Sequence, residues 1–345
     1  MYQPLNGSLN AYGGSLPVSL IEEAAEKFHI RTKKLFVIST SLNTLFTFTK
    51  GLKQYFLRFT HQSYQDFGHI CAEVDWIEYL KKNLFNVPAV KRSSHGKMVE
   101  RVFCENGYFT VVCFERVRGY PLHPYDWKNN LFKKLGALTG KLHAASKLYV
   151  PLVNYRRKEF FRPERVQRLI NLLSTDTENE KVIENFALAH KKYAAHEKNS
   201  TSYGLIHNDL SRGNYFIHGN NLSLIDFEYS GYNFFAGDLA FLLYDALNNY
   251  SAYKLHHRDA YLNCFFMDLF DAYQKENFLP ESELELVPVL MTLYAASSLA
   301  FKYKIKSRES FNVADCQFAA NARNHIVEGF EYVSHAINAE VSKNF

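Results

Sequence analysis

No C-x-x-C pair occurs among the five cysteines of this 345-residue chain (Cys71, Cys104, Cys113, Cys264, Cys316). An odd, dispersed set reads as reduced core thiols, which argues against a disulfide framework and against thiolate metal ligation. Strong charge of one sign is also missing. The 40 basic and 35 acidic residues leave a net +5, too mild for the concentrated basic face that nucleic acid requires. The opening MYQPLNGSLNAYGG has no basic segment leading into an apolar one, so no secretory signal is expected. The longest apolar stretch, LELVPVLMTLYAASSLAF at 284–301, is broken by Glu285, Pro288, Thr292 and two serines. It reads as a buried helix rather than a membrane span. Internal repeats and low-complexity tracts are absent. The expectation is a cytoplasmic chain with no nucleic-acid partner and no membrane span; nothing in it sets an oligomeric state.

What is present is core-forming material: 47% hydrophobic and 16% aromatic residues, enough for two domains at roughly 150 residues each. PVSLIEEAAEKFHI (17–30) has helical spacing with Pro17 near its entry. KLFVISTSLNTLFTFT and KQYFLRFT, separated by KGLK, are rich in β-branched and aromatic residues and read as strand–turn–strand. In FGHICAEVDWIEYLKKNLF (67–85), Ile70, Val74, Ile77, Leu80 and Leu84 form a helical stripe. Two or three further strands follow, with turns at Ser94–Gly96 and Asn106–Gly107. After about residue 118 helical periodicity dominates, at 126–147, 163–174, 178–196, 238–249, 256–276, 281–303 and 311–341. A short β-rich island at 204–227 is the exception. The predicted fold class is therefore α+β, with a β-rich region (1–117), a hinge near 115–121 and a mainly helical region (118–345). The basic run YRRKEFFRPERVQR (155–168) reads as a solvated face, or as a rim attracting an anionic ligand.

The β-rich island carries the chemistry. LIHNDLSRGNYFIH (205–218) places His207, Asp209 and Asn214 between two apolar runs, and LSLIDFEYSGYN puts Asp226 at the end of an apolar strand. A strand–turn–strand hairpin brings Asp209, Asn214 and Asp226 to one end of a sheet. Two carboxylates and an amide oxygen are hard ligands suited to Mg²⁺, which completes its shell from water and substrate phosphates. Phosphoryl transfer asks for such a set: one Asp to take the proton of the attacking hydroxyl, the others to hold metal. The pattern H-x-D-L-x-x-x-N arises by chance on the order of 10⁻³ times in a chain this long, and IDFE stands where kinases carry D-F-G.

With GDLAFLL added, these phrases resemble the aminoglycoside phosphotransferase/choline kinase superfamily, small-molecule kinases with a two-lobed, protein-kinase-like fold. YFLRF, AEVDWIEYL, FERVRGYPL and LGALTGKLHA fall in the same order, so the likeness covers about residues 30 to 250. It implies ATP and Mg²⁺ as cofactors and a small-molecule hydroxyl as acceptor. It implies Asp209 as the catalytic base, and Asn214 and Asp226 as metal ligands. Arg58 is implied as the phosphate-contacting base, Glu73 as its carboxylate partner, and Asp238 as a structural Asp bonded to the catalytic-loop backbone.

Several of these have a plainer reading. Arg58 shares a strand face with Phe56 and points to the cleft or to solvent; Glu73 is otherwise a helix-surface residue. Asp238 is also compatible with an N-cap, and His207 is expected to pack beneath the loop. Glu228 either adds a carboxylate to the metal or substrate site or lies exposed. The loop STSLNTLF (39–46) has no glycine; Ser41 and Asn43, with Ser39 and Thr40, stand in as side-chain donors to nucleotide. An amino alcohol such as choline or ethanolamine, or an aminoglycoside-like molecule, is the expected acceptor. Only two tryptophans exist for an aromatic cage, Trp76 and Trp127, and neither lies in the C-terminal helices, whose tyrosines and phenylalanines read as core. Asp268 and Asp271 are available to a polycation. The alternatives are a protein kinase on this scaffold, against which no activation-segment wording follows DFEYSGYN, and a non-catalytic pseudokinase or scaffold, favoured only by the missing glycines.

Overall fold

β-Branched and aromatic residues recurring with period two in the first third of the chain become an antiparallel sheet. A computed structural model describes residues 9–11, 14–123, 131–249, 258–330 and 333. Trp127, the start of the helix expected over 126–147 and the end of that expected over 311–341 lie outside the described residues. The chain forms two units. The first holds residues up to Tyr120 with Tyr149–Arg157 and Phe216–Glu228; the second holds Pro121–Leu148, Lys158–Tyr215 and the chain from Tyr229 on.

The first unit begins with a hairpin of β1 (Leu9–Ala11) and β2 (Gly14–Leu16), then α1 (Val18–Lys27). Next come β3 (Phe36–Thr40), β4 (Thr44–Lys50), β5 (Lys53–His61), α2 (Phe67–Lys82), β6 (Ala89–Lys91), β7 (Val99–Cys104), β8 (Gly107–Glu115) and the two-residue β9 (Tyr120–Pro121). The loop expected over 39–46 is shorter, with residues 41–43 turning the chain between β3 and β4. The sheet order is β3-β4-β5-β8-β6, and β7 also pairs with β8. Register puts Arg58 between Leu45 and Val112. The opposite face buries Phe46, Leu57, Phe59 and Val111 against Ile21, Ala24 and Ala25 of α1; each fully buried large side chain contributes about 1.5–3 kcal/mol. On the Arg58 face, Val99 and Val112 pack on Ile70 and Val74 of α2. The side chain of Asp66 caps α2, accepting from His69 N at 2.8 Å.

The second unit is built from α3 (Leu131–Leu148), α4 (Pro163–Leu173), α5 (Glu180–Ala195) and β10 (Tyr203–Ile206), then β11 (Tyr215–His218), whose later residues return to the first unit with β12 (Asn221–Leu224). It resumes with β13 (Gly231–Phe234), α6 (Ala236–Asn249), α7 (Arg258–Gln274), α8 (Leu286–Ile305) and α9 (Val313–Glu328). β13, which sequence patterning missed, pairs antiparallel with β10. The glycines of LGALTGKLHA have a packing reason: a β-carbon at Gly136 would lie 1.9 Å from the Leu269 carbonyl of α7. The long apolar stretch becomes α8, preceded by a 3₁₀ turn at Glu281–Glu285. Glu281–Ile305 has the length and hydropathy of a membrane span, with 67% of its apolar window buried, and α8 packs against α4, α5, α6 and α9. Within the stretch expected as one helix over 311–341, Gly329 takes φ +77° and caps α9. The described cysteines Cys71, Cys104, Cys113 and Cys316 are free thiols. The architecture is α+β, a sheet-based unit and a mainly helical one.

Candidate active site

In the second unit, β10 ends at Ile206 and leads into a loop whose backbone is pinned by one buried carboxylate. Asp238 accepts from His207 N at 3.0 Å and Asn208 N at 2.7 Å. It stands in the first turn of α6, which starts at Ala236, and so does not act as that helix's N-cap. Its Oδ2 also meets His143 Nε2 at 3.1 Å, and His143 Nδ1 meets Tyr273 Oη at 2.9 Å. Because the carboxylate only accepts, Nε2 carries the imidazole proton and Tyr273 donates to Nδ1. Burial holds the His143 pKa below its usual value despite the opposing pull of Asp238, so the ring is neutral at pH 7. His143 lies in a phrase singled out from sequence, yet nothing local marked its role.

Asn208 adopts φ +63°, a left-handed conformation that Asn tolerates better than most residues. Its carboxamide donates to Gly231 O at 3.1 Å and accepts from Asn233 Nδ2 and Tyr294 Oη at 2.8 and 2.9 Å. His207 is fully buried beneath the loop, its Nδ1 accepting from Asp209 N at 3.3 Å. A 3₁₀ turn at Arg212–Asn214 then folds Asn214 back. Its Nδ2 donates to Asp209 Oδ2 at 3.0 Å and Asp209 O at 2.8 Å. The structure thus brings Asp209 and Asn214 together and aims the Asp209 carboxylate.

In the first unit, Arg58 and Glu73 form a two-pronged pair, Nη1–Oε1 and Nη2–Oε2 both at 2.9 Å. Arg58 is buried, so neither the solvent-facing reading nor a surface Glu73 holds. Burial opposes the Arg58 charge, but Glu73 outweighs it and raises the pKa further; the guanidinium is a permanent cation. Phe114 lies beneath it at 5.3 Å, and among the described residues Nε has no hydrogen-bond partner.

Asp226 follows β12 at φ +62°, an uncommon conformation for a residue other than glycine. Beyond it Phe227–Tyr229 make a 3₁₀ turn with Phe227 wholly buried. Glu228 is buried too, contrary to its exposed reading. It accepts from Tyr64 Oη and, at 2.5 Å, from Asn43 Nδ2, while Asn43 Oδ1 accepts from Thr60 Oγ1 at 2.6 Å. Burial, reinforced by Asp226, pushes the Glu228 pKa up to about 7 against the pull of Arg58 and Tyr64. Asn43, read as a nucleotide donor, is therefore bonded within the protein. Ser41 sits exposed on the turn, 3.3 Å from Ser39 Oγ.

Sequence reasoning missed Arg157. Within a run read as solvated, its guanidinium is buried and donates to His69 O at 3.0 Å, Phe227 O at 3.3 Å and Glu228 O. Burial lowers its pKa to about 10, which leaves it charged at neutral pH. In the same run Arg165 stacks on Phe160 at 4.0 Å.

The donor chemistry fits a hard divalent cation. In the first unit Asp226 offers a carboxylate; in the second, separately, Asn214 offers Oδ1, since its Nδ2 is committed to Asp209. Among the described residues no three His, Cys, Asp or Glu side chains group into a metal cluster, so neither donor alone supplies a full ligand set and water or substrate oxygen would have to contribute. The acceptor side shows two further limits. Asp268 is paired with Lys133 at 3.4 Å. Phe234, Phe235, Tyr244 and Tyr294 are buried, as core residues.

The phosphotransferase enzyme family model matches residues 39–271. The amicoumacin kinase of Bacillus subtilis (strain 168) is 27% identical over 277 residues, 79% of this chain and 81% of that protein. Among solved structures, an amicoumacin kinase in complex with AMP-PNP, Ca²⁺ and Ami is similar at TM-score 0.83 with 24% identity, covering 91% of this chain and 93% of that one. A microcompartment-associated aminopropanol kinase is similar at TM-score 0.74 with 21% identity, covering 92% and 98%.

Proposed function

The chain belongs to the phosphotransferase enzyme family and is a small-molecule phosphotransferase acting on hydroxyl groups; on that premise we propose that it uses ATP and Mg²⁺ to phosphorylate an amino alcohol or a similar amine-bearing metabolite. Two relatives support the finer terms. One was captured with a nucleoside triphosphate analogue and a divalent cation, and another is a kinase of aminopropanol, itself an amino alcohol.

In this reading Asp209 accepts the proton of the acceptor hydroxyl as its oxygen attacks the γ-phosphorus; the bond to the bridging oxygen breaks and ADP leaves. Asn214 aims that carboxylate and Asp238 holds the loop backbone. Asn214, through Oδ1, and Asp226 are each read as Mg²⁺ ligands, and the cation would neutralise charge on the phosphates. Arg58, fixed by Glu73, presents its remaining N–H groups to a phosphate oxygen. The sheet-based region serves the nucleotide and the helical region serves catalysis and the acceptor. The observation that carries the reading is the Asp209 carboxylate held by Asn214 on a loop anchored at Asp238. Against a protein kinase, β13 and α6 follow Tyr229 directly, with no intervening segment for peptide docking. Against a pseudokinase, the Arg58–Glu73 pair is intact.

The test is ADP release from Mg·ATP across a panel of amino alcohols, larger amine-bearing alcohols and peptides. Turnover with an amino alcohol, reduced about 10²–10⁴-fold in Asp209→Asn, is the expected result. Turnover only with peptides, or an unchanged rate in Asp209→Asn, overturns it.

A further inference from the structure

The segment Tyr149–Arg157 lies along α2 and is tied to it at successive points. Tyr149 Oη and Leu152 N both donate to Asp75 Oδ2, at 2.6 and 3.0 Å. The Tyr149 ring meets Trp76 at 4.7 Å and Tyr79 at 5.0 Å. Tyr155 meets the edge of Phe67 and covers Gly68, where a β-carbon would fall 2.5 Å from the Tyr155 ring. The last tie is Arg157. One arm of its guanidinium reaches the His69 carbonyl in the first turn of α2, and the other reaches the carbonyls of Phe227 and Glu228.

Those two carbonyls belong to the residues immediately after Asp226, whose φ of +62° is disfavoured for an L-residue with a side chain. Such a conformation persists when its surroundings over-determine it. A planar fork with five donors can hold carbonyls in two directions; a lysine ammonium is a single compact charge and cannot reproduce that geometry. The same α2 carries Glu73 and, through it, Arg58.

We propose that Arg157 is a positioning residue that clamps the Asp226 turn to α2, so that the Asp226 carboxylate and the Arg58–Glu73 pair keep one fixed relation. The clamp itself is a property of the protein without ligands; its effect on cation use rests on the reading of Asp226 as a metal ligand. Of the contacts described for the Tyr149–Arg157 segment, those of Arg157 extend from α2 to the turn beyond Asp226, where the Glu228 carbonyl also accepts from Gln65 Nε2 at 3.3 Å.

The experiment uses the full chain with Arg157→Lys, Arg157→Ala and, as a control at the far end of the segment, Tyr149→Phe. Amide exchange in metal-free and nucleotide-free protein should accelerate together at residues 226–230 and in the first turn of α2 in both Arg157 variants. Added methylguanidinium should restore protection in Arg157→Ala. Kinetically, the Mg²⁺ concentration for half-maximal rate should rise about tenfold or more in Arg157→Lys with the acceptor KM unchanged, whereas Tyr149→Phe should lower Tm and leave the Mg²⁺ response alone. Should Arg157→Ala fail to fold, Arg157→Lys carries both readouts. Wild-type exchange at either segment in Arg157→Lys, or a Mg²⁺ response no different from Tyr149→Phe, overturns the proposal. If the unaltered protein phosphorylates no acceptor, the proposed function falls, and the exchange measurement still decides whether Arg157 is the clamp.

Discussion

The two units hold their functional groups by different means. In the first, buried guanidinium cations are held in place, Arg58 by the Glu73 carboxylate and Arg157 by backbone carbonyls of His69, Phe227 and Glu228. In the second, a relay of uncharged donors ends on one buried carboxylate, with Asn277 donating to Tyr273 at 2.6 Å, Tyr273 to His143, and His143 to Asp238, which in turn collects two backbone N–H groups. The contrast suits the tasks proposed for each. A region serving polyanionic phosphates and a cation gains from permanent charge aimed at them. A region holding one general base gains from a loop backbone whose orientation is fixed by a buried acceptor.

The comparison breaks most readily at Glu73. Glu73→Gln leaves Arg58 as a buried cation without its carboxylate, and a loss of about 3–5 kcal/mol is expected in equilibrium denaturation. The double change Arg58→Met with Glu73→Leu should recover much of that stability, because the cost lies in the orphaned charge; no recovery would mean the pair is held for another reason. On the neutral side, Tyr273→Phe leaves His143 Nδ1 and Asn277 Nδ2 unpartnered and should cost about 1–3 kcal/mol by the same measurement. A cost as large as that of Glu73→Gln would erase the distinction.

The smallest expected effect separates charge from location. Asp176, in the second unit, accepts from Tyr303 Oη at 2.6 Å, Arg308 Nε at 3.1 Å and Arg323 Nη2 at 2.7 Å. Burial opposes its ionisation, but the Tyr303 hydroxyl, the Glu178 N–H and the two arginines hold its pKa below the usual carboxylate value. A depressed Asp contributes fully above its unfolded pKa of about 3.9, and the contribution is lost as pH falls through the folded value. Asp176→Asn should therefore flatten the acid limb of the stability curve below about pH 4. Denaturation midpoints at pH 7 and pH 3 test this; an equal deficit at both would remove Asp176 as the titrating group.

Legibility followed chain distance. Asp209 and Asn214 are five residues apart in one loop, and their spacing carried the chemistry before any fold was known. Glu73 was marked only by the resemblance carried by AEVDW; the helical stripe by itself left it a surface residue. Asn43 and Glu228 were each noticed, but they are 185 residues apart, and no local pattern says that they bond to each other. Arg157 was one of six basic residues in a run whose composition is that of a solvated face. β13, four residues with a glycine and an asparagine, gave too weak a period-two signal beside the turn preceding it.

By itself the sequence determined the alternation of apolar residues, hence the sheet and the helices, and the identity of the oxygen-bearing side chains in one loop and one strand end. Tertiary structure decided which charges are buried and with whom: that Arg58 faces α2, that Glu228 is held by Tyr64 and Asn43, and that Arg157 spans α2 and the Asp226 turn. The physical reason is that periodicity is a local property of the chain. The environment of a charge depends on every segment packed around it, and those segments come from distant parts of the sequence.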